Sequence, residues 1–275
     1  MKLNPVVAGI DHSFHGSPAL MWAAADAAYR RVPLRLVHCV SRDSYASDVE
    51  DLLDACLNRV LDRYPDLAVT ATVAEDPAAR GLLTESRDAA VLVVGKHRLH
   101  ADHALLLGST ATDIAAHATC PTVVVPEGPQ QTDGLGRMVV VAVDGSAISR
   151  TALEFGFAEA QSRGISLTAV HVDEHSDVLA YARRTHSIVT LPVHSLEKDA
   201  LSAFVDPVAI RFPDVEFSVT IQNGPTTAGL LKAGTGAELM VIGDTGLTAA
   251  SSTLLGSVAL ALLERVPCPL AVVHE

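Results

Sequence analysis

The stretch Val139-Val140-Val141-Ala142-Val143-Asp144-Gly145-Ser146 decides the fold, because it is a short apolar run that ends in a polar turn. A shift of 133 residues carries Val6-Val7-Ala8-Gly9-Ile10-Asp11-His12-Ser13 onto it. A continuous apolar run of this length, bounded by a turn, is typical of a buried parallel strand. Two segments of the chain therefore begin in the same way, and we interpret the chain as an internal duplication.

Later matches between the two copies occur at a shift of 148 residues. It carries Val93-Val94-Gly95 onto Val241-Ile242-Gly243, and Cys120-Pro121 onto Cys268-Pro269. The two shifts, 148 and 133, differ by 15 residues, so the second copy contains an insertion of that length. The matching helical patterns on either side place this insertion at about Asp173–His194.

Each copy alternates strand and helix patterns, which indicates βαβ crossovers. We therefore predict an α/β fold with two tandem open five-stranded parallel sheets, each flanked by helices in a Rossmann-like arrangement. The expected strand order is 3-2-1-4-5. The polar linker 127–136 separates a first domain, 1–127, from a second domain, 137–275.

Composition excludes several classes of partner. The chain has 275 residues and a formal net charge of −12, which argues against a nucleic-acid backbone or an anionic membrane as the main partner.

The start of the chain runs directly into a strand pattern, so we expect no signal peptide, and no apolar run is long enough to span a bilayer. The four cysteines form no C-x-x-C pair, which indicates reduced thiols, a cytoplasmic protein and no cysteine-based metal site.

Residues that could bind a ligand are expected where the strand order of a parallel sheet reverses, beyond the ends of strands 1 and 4. In the second copy these ends carry Asp144 and the segment Gly243-Asp244-Thr245-Gly246, with Gly256-Ser257 opening the next helix. Glycines allow a close backbone approach to an oxyanion, and the N–H groups of a helix start attract an anion. The spacing therefore favours a phosphate-binding loop over an ordinary connection.

Both copies resemble the universal stress protein family on these residues. The first strand looks like the V-x-x-D-G-S start of that family, and Gly243-x2-Gly246-x9-Gly256-Ser257 matches its ATP-binding pattern. The resemblance implies ATP, with magnesium, as the ligand, and cyclic AMP or AMP as alternatives because the adenine contacts would be shared. It implies an adenine slot at Ala142 and Val172, Asp144 near the base and ribose, and a phosphate cradle at the glycines. The implied nucleotide contacts of the second copy are Ala142, Asp144, Val172, Ile242, Gly243, Gly246, Gly256, Ser257 and Val258.

The first copy departs from this pattern. Arg98 replaces the middle glycine, where its side chain would either reach a phosphate or block the site. Asp-Gly-Ser also becomes Asp-His-Ser. We therefore expect nucleotide binding mainly in the second domain. The corresponding candidates in the first domain are Asp11, Gly95, Arg98, Gly108 and Ser109.

No base or cation for phosphoryl transfer is visible, because residues Gly243–Ser257 contain neither Lys nor Arg. We therefore predict a regulatory binding module that responds to stress, that is not an enzyme, and that passes its nucleotide occupancy to a protein partner. Two alternatives stay open. One is an adenylate-handling enzyme with slow ATP hydrolysis, whose base comes from the insertion, and the other is a nucleotide-independent interaction protein.

Three further expectations concern the rest of the chain. The apolar edge strands Thr122–Pro126 and Pro269–His274 should pair antiparallel, as the resemblance implies, giving an intramolecular pseudo-dimer, with a homodimer possible. Part of the insertion is expected to fold over the second site as a lid and to supply Arg183 and Arg184, and the alternative is a solvated surface excursion. We expect no metal site, although His97, His100, His103 and Asp102 share one loop, and we expect His38 and His171 to pack against helices.

Overall fold

The computed structural model describes residues 3–11, 18–40, 46–96, 108–127, 137–174, 198–245 and 255–274. The chain divides into two compact units. The first unit contains Met1–Pro129 together with Pro269–His274, and the second contains Gln130–Cys268. The predicted domain boundaries concern the two sequence copies and stay a prediction. The units differ from the sequence copies in one strand: the last strand of the chain belongs to the second copy but to the first unit.

The first unit is built on five parallel strands. In spatial order they are β3-β2-β1-β4-β5, which is the predicted order 3-2-1-4-5. The strands alternate along the chain with helices, as βαβ crossovers require. The strands are β1 (Val6–Ile10), β2 (Leu34–Cys39), β3 (Val69–Ala74), β4 (Val91–Gly95) and β5 (Thr122–Val125), and the helices are α1 (Pro18–Arg30), α2 (Ala46–Arg63), α3 (Ala78–Glu85) and α4 (Ser109–His117).

The second unit repeats this arrangement through its first four strands, in the order β8-β7-β6-β9. The mixed α/β fold with a mostly parallel sheet is therefore confirmed. Its strands are β6 (Met138–Ala142), β7 (Ser166–Asp173), β8 (Phe217–Asn223) and β9 (Leu239–Gly243), and its helices are α5 (Ala147–Arg163), α6 (Lys198–Ala209), α7 (Thr226–Ala233) and α8 (Ser257–Arg265).

The last strand, β10 (Leu270–Val273), belongs to the first unit. It pairs antiparallel with β5, and Leu270 lies opposite Val124. The expected antiparallel pairing of these two strands is confirmed. Both strands are buried along their length, and all their side chains are apolar except that of Thr122.

The core is made of small and branched aliphatic side chains, as the low aromatic content of 4% requires. The strands β1, β4, β6 and β9 are almost entirely buried, as parallel strands covered by helices are. Close packing of α5 on β6 needs a glycine, because a Cβ at Gly156 would overlap the side chain of Val141. None of the helices that the structure describes is long and apolar enough to cross a membrane.

A buried ion pair on the first helix occurs in both units. In α5 the Arg163 guanidinium donates to the Glu159 carboxylate at 2.7 and 3.0 Å, and both side chains are 1% exposed. The equivalent pair in α1, at the shift of 133, is Arg30 with Asp26 at 2.8 Å. The duplication has therefore kept an interior charge pair, and not only the apolar pattern.

Candidate functional site

The ends of β6 and β9 are neighbours in the second unit. The two strands pair in parallel, with Val141 opposite Val241. Their carboxyl ends therefore lie side by side, and the segments that follow them, Asp144 onward and Gly243 onward, leave the sheet at the same edge. This is the place where the strand order reverses and where ligands of open parallel sheets bind.

The turn after β6 is held by the side chain of Asp144. Its Oδ1 accepts a hydrogen bond from the Ser146 backbone N–H at 2.9 Å and another from the Ser146 hydroxyl. Gly145 between them has a φ of 86°, in the left-handed region that glycine adopts without strain. Ser146 in turn caps α5, because its hydroxyl oxygen accepts from the Ser149 N–H. The Asp-Gly-Ser sequence is therefore explained by local structure, and the role of Asp144 toward a base or ribose stays a prediction.

The structure brings the first and last parts of the glycine pattern together. The Gly256 N–H donates to the Asp244 carbonyl at 2.7 Å, which ties the start of α8 to the end of β9. Packing alone explains a glycine at position 243, since a Cβ there would lie 2.7 Å from Cγ1 of Ile148 in α5. A Cβ at Gly256 would instead lie 3.4 Å from the Asp244 carbonyl oxygen, an ordinary contact. Gly246, the middle glycine, lies outside the described residues.

The amino-terminal end of α8 receives no side-chain cap from its N-cap residue, Gly256. Two other helices that begin at this edge, α5 and α7, differ. The first turn of α5 is capped by Ser146, and the Thr226 N–H at the start of α7 donates to the Glu174 carboxylate at 2.7 Å. Ser257, the first residue of α8, is exposed. The N–H groups at this helix start are therefore the ones placed to receive an anion.

Val172 and Ala142 lie at the ends of neighbouring strands, as the resemblance implies for the adenine slot. The Val172 side chain faces α7, where a Cβ at Gly229 would lie 2.9 Å from its Cγ2. The next residue, Asp173, still belongs to β7, so the predicted insertion begins at the carboxyl end of this strand. Residues 175–194 of the insertion, including Arg183 and Arg184, lie outside the described residues, and the lid stays a prediction. Ile242 and Val258 flank the glycine segments in β9 and α8.

Sequence reasoning missed the hydrogen bond of His171. We expected this side chain only to pack against a helix, but its Nδ1–H donates to the Val143 carbonyl at 2.8 Å. The equivalent His38 donates from Nδ1 to the Ile10 carbonyl, also at 2.8 Å. The signal that could have found this contact was in the sequence, since the repeat places a histidine at the end of the second strand in both copies.

The first unit keeps part of the same arrangement. The ends of β1 and β4 are neighbours, with Ala8 opposite Val93, so Asp11 and Gly95 leave the sheet at one edge. Gly108 is the N-cap of α4 and provides no side-chain cap, and Ser109 opens the helix. Arg98 and the loop histidines lie outside the described residues. Within the described residues, no group of three or more His, Cys, Asp or Glu side chains could hold a metal ion.

The cysteines offer no ionised thiol at this edge. Cys39 stands where the second copy has Val172, and burial, followed by the charges of Asp76 and Glu85, raises the pKa of its thiol to about 11. Burial also raises the pKa of the Cys120 and Cys268 thiols, to about 12 in each case. All four cysteines are free, and a raised thiol pKa means a neutral, weakly nucleophilic side chain at neutral pH.

A separate open cavity of about 670 Å³ lies between α3 and α4 of the first unit. Arg80, Arg87, His117 and Asp113 line it together with Ala79, Leu83 and Thr84. Neither Gly108 nor Ser109 contributes to its wall. It is therefore distinct from the strand ends, and we assign the candidate site by the geometry of the sheet edge.

Comparison with known proteins supports the tandem organisation of the chain. The model of the universal stress protein family matches residues 2–126 and 137–274. A universal stress protein from Mycolicibacterium smegmatis is 26% identical over 287 residues, with 98% of this chain and 96% of that protein covered. Among solved structures, a universal stress protein from Archaeoglobus fulgidus has a TM-score of 0.64 at 17% identity, covering 100% of this chain and 99% of that one. A protein of unknown function from Pseudomonas aeruginosa has a TM-score of 0.71 at 15% identity, covering 99% and 92%. Because the family model covers both copies, the chain belongs to the universal stress protein family.

Proposed function

We propose that this chain is a regulatory module that binds an adenine nucleotide at the strand-end edge of its second copy, with ATP and magnesium as the principal ligand. The observation that carries the proposal is the hydrogen bond from the Gly256 N–H to the Asp244 carbonyl. It places the glycine segment after β9 directly beside the start of α8, whose N-cap supplies no side-chain oxygen. Such a glycine segment beside a helix start suits a phosphate group.

The adenine ring is assigned to the edge of β7 at Val172. Successive residues of a parallel strand direct their N–H and C=O groups to alternate sides, and Val170 already accepts from the Val143 N–H on the β6 side. Val172, two residues further, therefore faces the same side, beyond the end of β6 at Ala142. A backbone N–H beside a C=O complements the Watson–Crick edge of adenine, where N1 accepts and the N6 amino group donates.

A binding role is favoured over catalysis by the charges at this edge. The carboxylate of Asp144 bonds Ser146, and Thr245 donates to Asp244 at 3.2 Å, so both acidic side chains serve local turns. Among the described residues of the glycine segments, 243–245 and 255–258, there is no Lys or Arg to stabilise a transferring phosphoryl group. We therefore propose that occupancy, and not turnover, is the output, and that it is passed to a protein partner.

Mass spectrometry of small molecules released from freshly purified protein tests the identity of the ligand. We expect an adenine nucleotide, and the same assay separates ATP from AMP and cyclic AMP, which would share the adenine contacts. Thermal unfolding then tests the affinity, because a ligand at 100 times its Kd stabilises the folded state by about 2.7 kcal/mol. An unchanged melting temperature in millimolar ATP with magnesium would contradict the proposal, and release of ADP and phosphate would favour the enzyme alternative.

A further inference from the structure

The open cavity between α3 and α4 of the first unit, here the α3–α4 groove, has basic side chains along one wall. Arg80 lies on α3, and Arg87 lies in the short 3₁₀ turn that follows it. The two arginines are seven residues apart, which corresponds to about 10 Å along a helix axis. The half-buried Leu83 lies between them on the same wall. This wall therefore presents a basic, an apolar and a basic group in a row, on a chain whose net charge is −12.

The charges of these two arginines are not neutralised by the fold. The Arg87 side chain is exposed and has neither an ion pair nor a hydrogen bond among the residues that the structure describes. Arg80 has only a loose pair with Asp76, at 3.6 Å, and its side chain is 80% exposed. A pair of this kind contributes little stability, because water screens it. Both guanidinium groups are therefore available to an external carboxylate, which a guanidinium can bind through two parallel hydrogen bonds.

The opposite wall is formed by α4 and carries Asp113 and His117, one turn apart. The His117 ring donates from Nδ1 to the Asp113 carbonyl at 2.9 Å, which holds the ring against its own helix. The Asp113 carboxylate forms no ion pair with any described residue, although Arg80 and Arg87 line the same cavity. The charges of the two walls therefore do not meet, and the space of about 670 Å³ between them is open to a further segment.

The end of the groove at Arg87 is held in place by a buried serine. The Ser86 hydroxyl donates to the Leu83 carbonyl at 2.8 Å and accepts from the Thr119 N–H at 3.2 Å. Ser86 itself is 1% exposed. These bonds tie the turn that carries Arg87 to the segment just after α4. The groove is therefore preformed, which lowers the entropic cost of binding a partner there.

The second unit packs the equivalent helices without arginines at these two positions. The shift of 148 residues places Ala228 and Thr235 there. Helices α7 and α8 nevertheless pack against each other, as α3 and α4 do. The basic residues of the second unit on these helices stand at other positions, Lys232 and Arg265. The two arginines of the first unit are therefore not required for packing the helices.

We infer that the α3–α4 groove is a docking surface for an acidic helical segment of a partner protein. Such a segment would place carboxylates seven residues apart against Arg80 and Arg87, with an apolar side chain between them against Leu83. The spacing fits because positions i and i+7 lie on one face of an α-helix, as in other helices that bind in grooves. Asp113 on the facing wall would repel a second row of carboxylates, so the acidic residues should lie on one face only. Such docking extends the proposed function, since it names the surface that a protein partner would use, but it requires no nucleotide.

The first test selects peptides from a phage-displayed library of helical sequences, with the nucleotide-free protein as bait. We expect the enriched peptides to carry pairs of Asp or Glu seven residues apart, with an apolar residue between them. Failure to enrich any peptide, or enrichment of peptides without the acidic pair, would overturn the inference. Because the selection contains no nucleotide, its failure would leave the proposed nucleotide site untouched, and a protein that binds no ATP would leave the docking surface untouched.

The second test measures the affinity of the most enriched peptide by fluorescence anisotropy. The variant Arg80→Ala/Arg87→Thr takes the residues of the second unit, and it should bind at least about tenfold more weakly than wild type because two charge-assisted contacts are lost. The control Arg59→Ala/Arg63→Ala removes the same charge from α2 and should bind within about twofold of wild type. Equal affinities of wild type and the groove variant, or equal losses in both double variants, would overturn the inference. Circular dichroism of each variant verifies that it is folded.

Discussion

The two copies of the domain share a framework and differ at the edge where a ligand would sit. Both have the same order of their first four strands, a buried Arg–carboxylate pair in the first helix and a histidine bonded to the end of the first strand. At the ligand edge the first copy has a ladder one pair longer and Cys39 in the place of Val172. The comparison teaches that the same frame can carry different groups at the ligand edge.

At this edge the second copy presents backbone groups. In the second copy the start of α8 is tied to the end of β9, and the last bond between β6 and β7 leaves the Val172 N–H beyond the ladder. Both features present N–H groups toward one edge of the sheet. A nucleotide offers acceptors at the phosphates and at the base, and backbone donors complement both.

The largest expected effect concerns the duplicated ion pair. Arg163→Met removes the guanidinium that pairs with the Glu159 carboxylate, which is 1% exposed, and should lower the free energy of unfolding by about 3–5 kcal/mol. Arg30→Met should cost less, about 1–3 kcal/mol, because Asp26 is buried but the Arg30 side chain is 20% exposed, so water partly screens that pair. Urea denaturation of both variants measures the difference. An equal or larger loss in Arg30→Met would show that burial of the pair does not determine how much stability its removal costs.

The next effect concerns the glycine pattern itself. Gly246→Arg gives the second copy the residue that the first copy has at this position, and should remove the stabilisation by ATP, about 2.7 kcal/mol at 100 times Kd. Both Gly246 and Arg98 lie outside the described residues, so this prediction follows from the sequence pattern. The matched variant Arg98→Gly should keep the full stabilisation. Thermal unfolding with and without ATP checks both, and loss of the ATP effect in Arg98→Gly alone would move the site to the first copy.

The frame was predictable from sequence because its signals are local and repeated. The apolar patterns predict a strand at Leu239–Gly243 and a helix at Ser257–Arg265, and β9 and α8 have these bounds in the structure. The site was predictable only as a set of positions. The contacts within it depend on how β9, β6 and β7 end beside each other. They are the packing of Gly243 against Ile148, the turn held by Asp144 and the hydrogen bond of His171. Periodicity within one element does not contain that information.

A smaller effect separates two glycines of the same pattern. Gly243→Ala should cost about 1–3 kcal/mol of folding free energy, because the added Cβ would lie 2.7 Å from Cγ1 of Ile148. Gly256→Ala should cost less than about 1 kcal/mol, since its nearest neighbour would be at 3.4 Å. Adding Ile148→Ala to each variant provides the control. The double variant with Gly243→Ala should lose less stability than the two single losses together, whereas an additive result would show that this contact is not the cause.

The smallest effect at neutral pH is expected for Cys39→Val, which gives the first copy the residue of the second. The Cys39 sulfur faces Gly81, where a Cβ would lie 2.7 Å away, as Val172 faces Gly229 in the second copy. A valine therefore has a precedent in the same surroundings, and the cost should stay below about 1 kcal/mol at pH 7.

The same substitution has a defined pH dependence. Burial of the neutral thiol, with Asp76 and Glu85 nearby, raises the pKa of Cys39 from 9.0 to about 11 in the folded protein. Between pH 9 and 11 the unfolded chain therefore binds fewer protons than the folded one, so this thiol's contribution to stability is complete below pH 9 and is lost as the pH rises. Wild type should lose stability relative to Cys39→Val across that window, as measured by urea denaturation at several pH values. A constant difference from pH 8 to 11 would show that Cys39 ionises equally in the folded and unfolded chains.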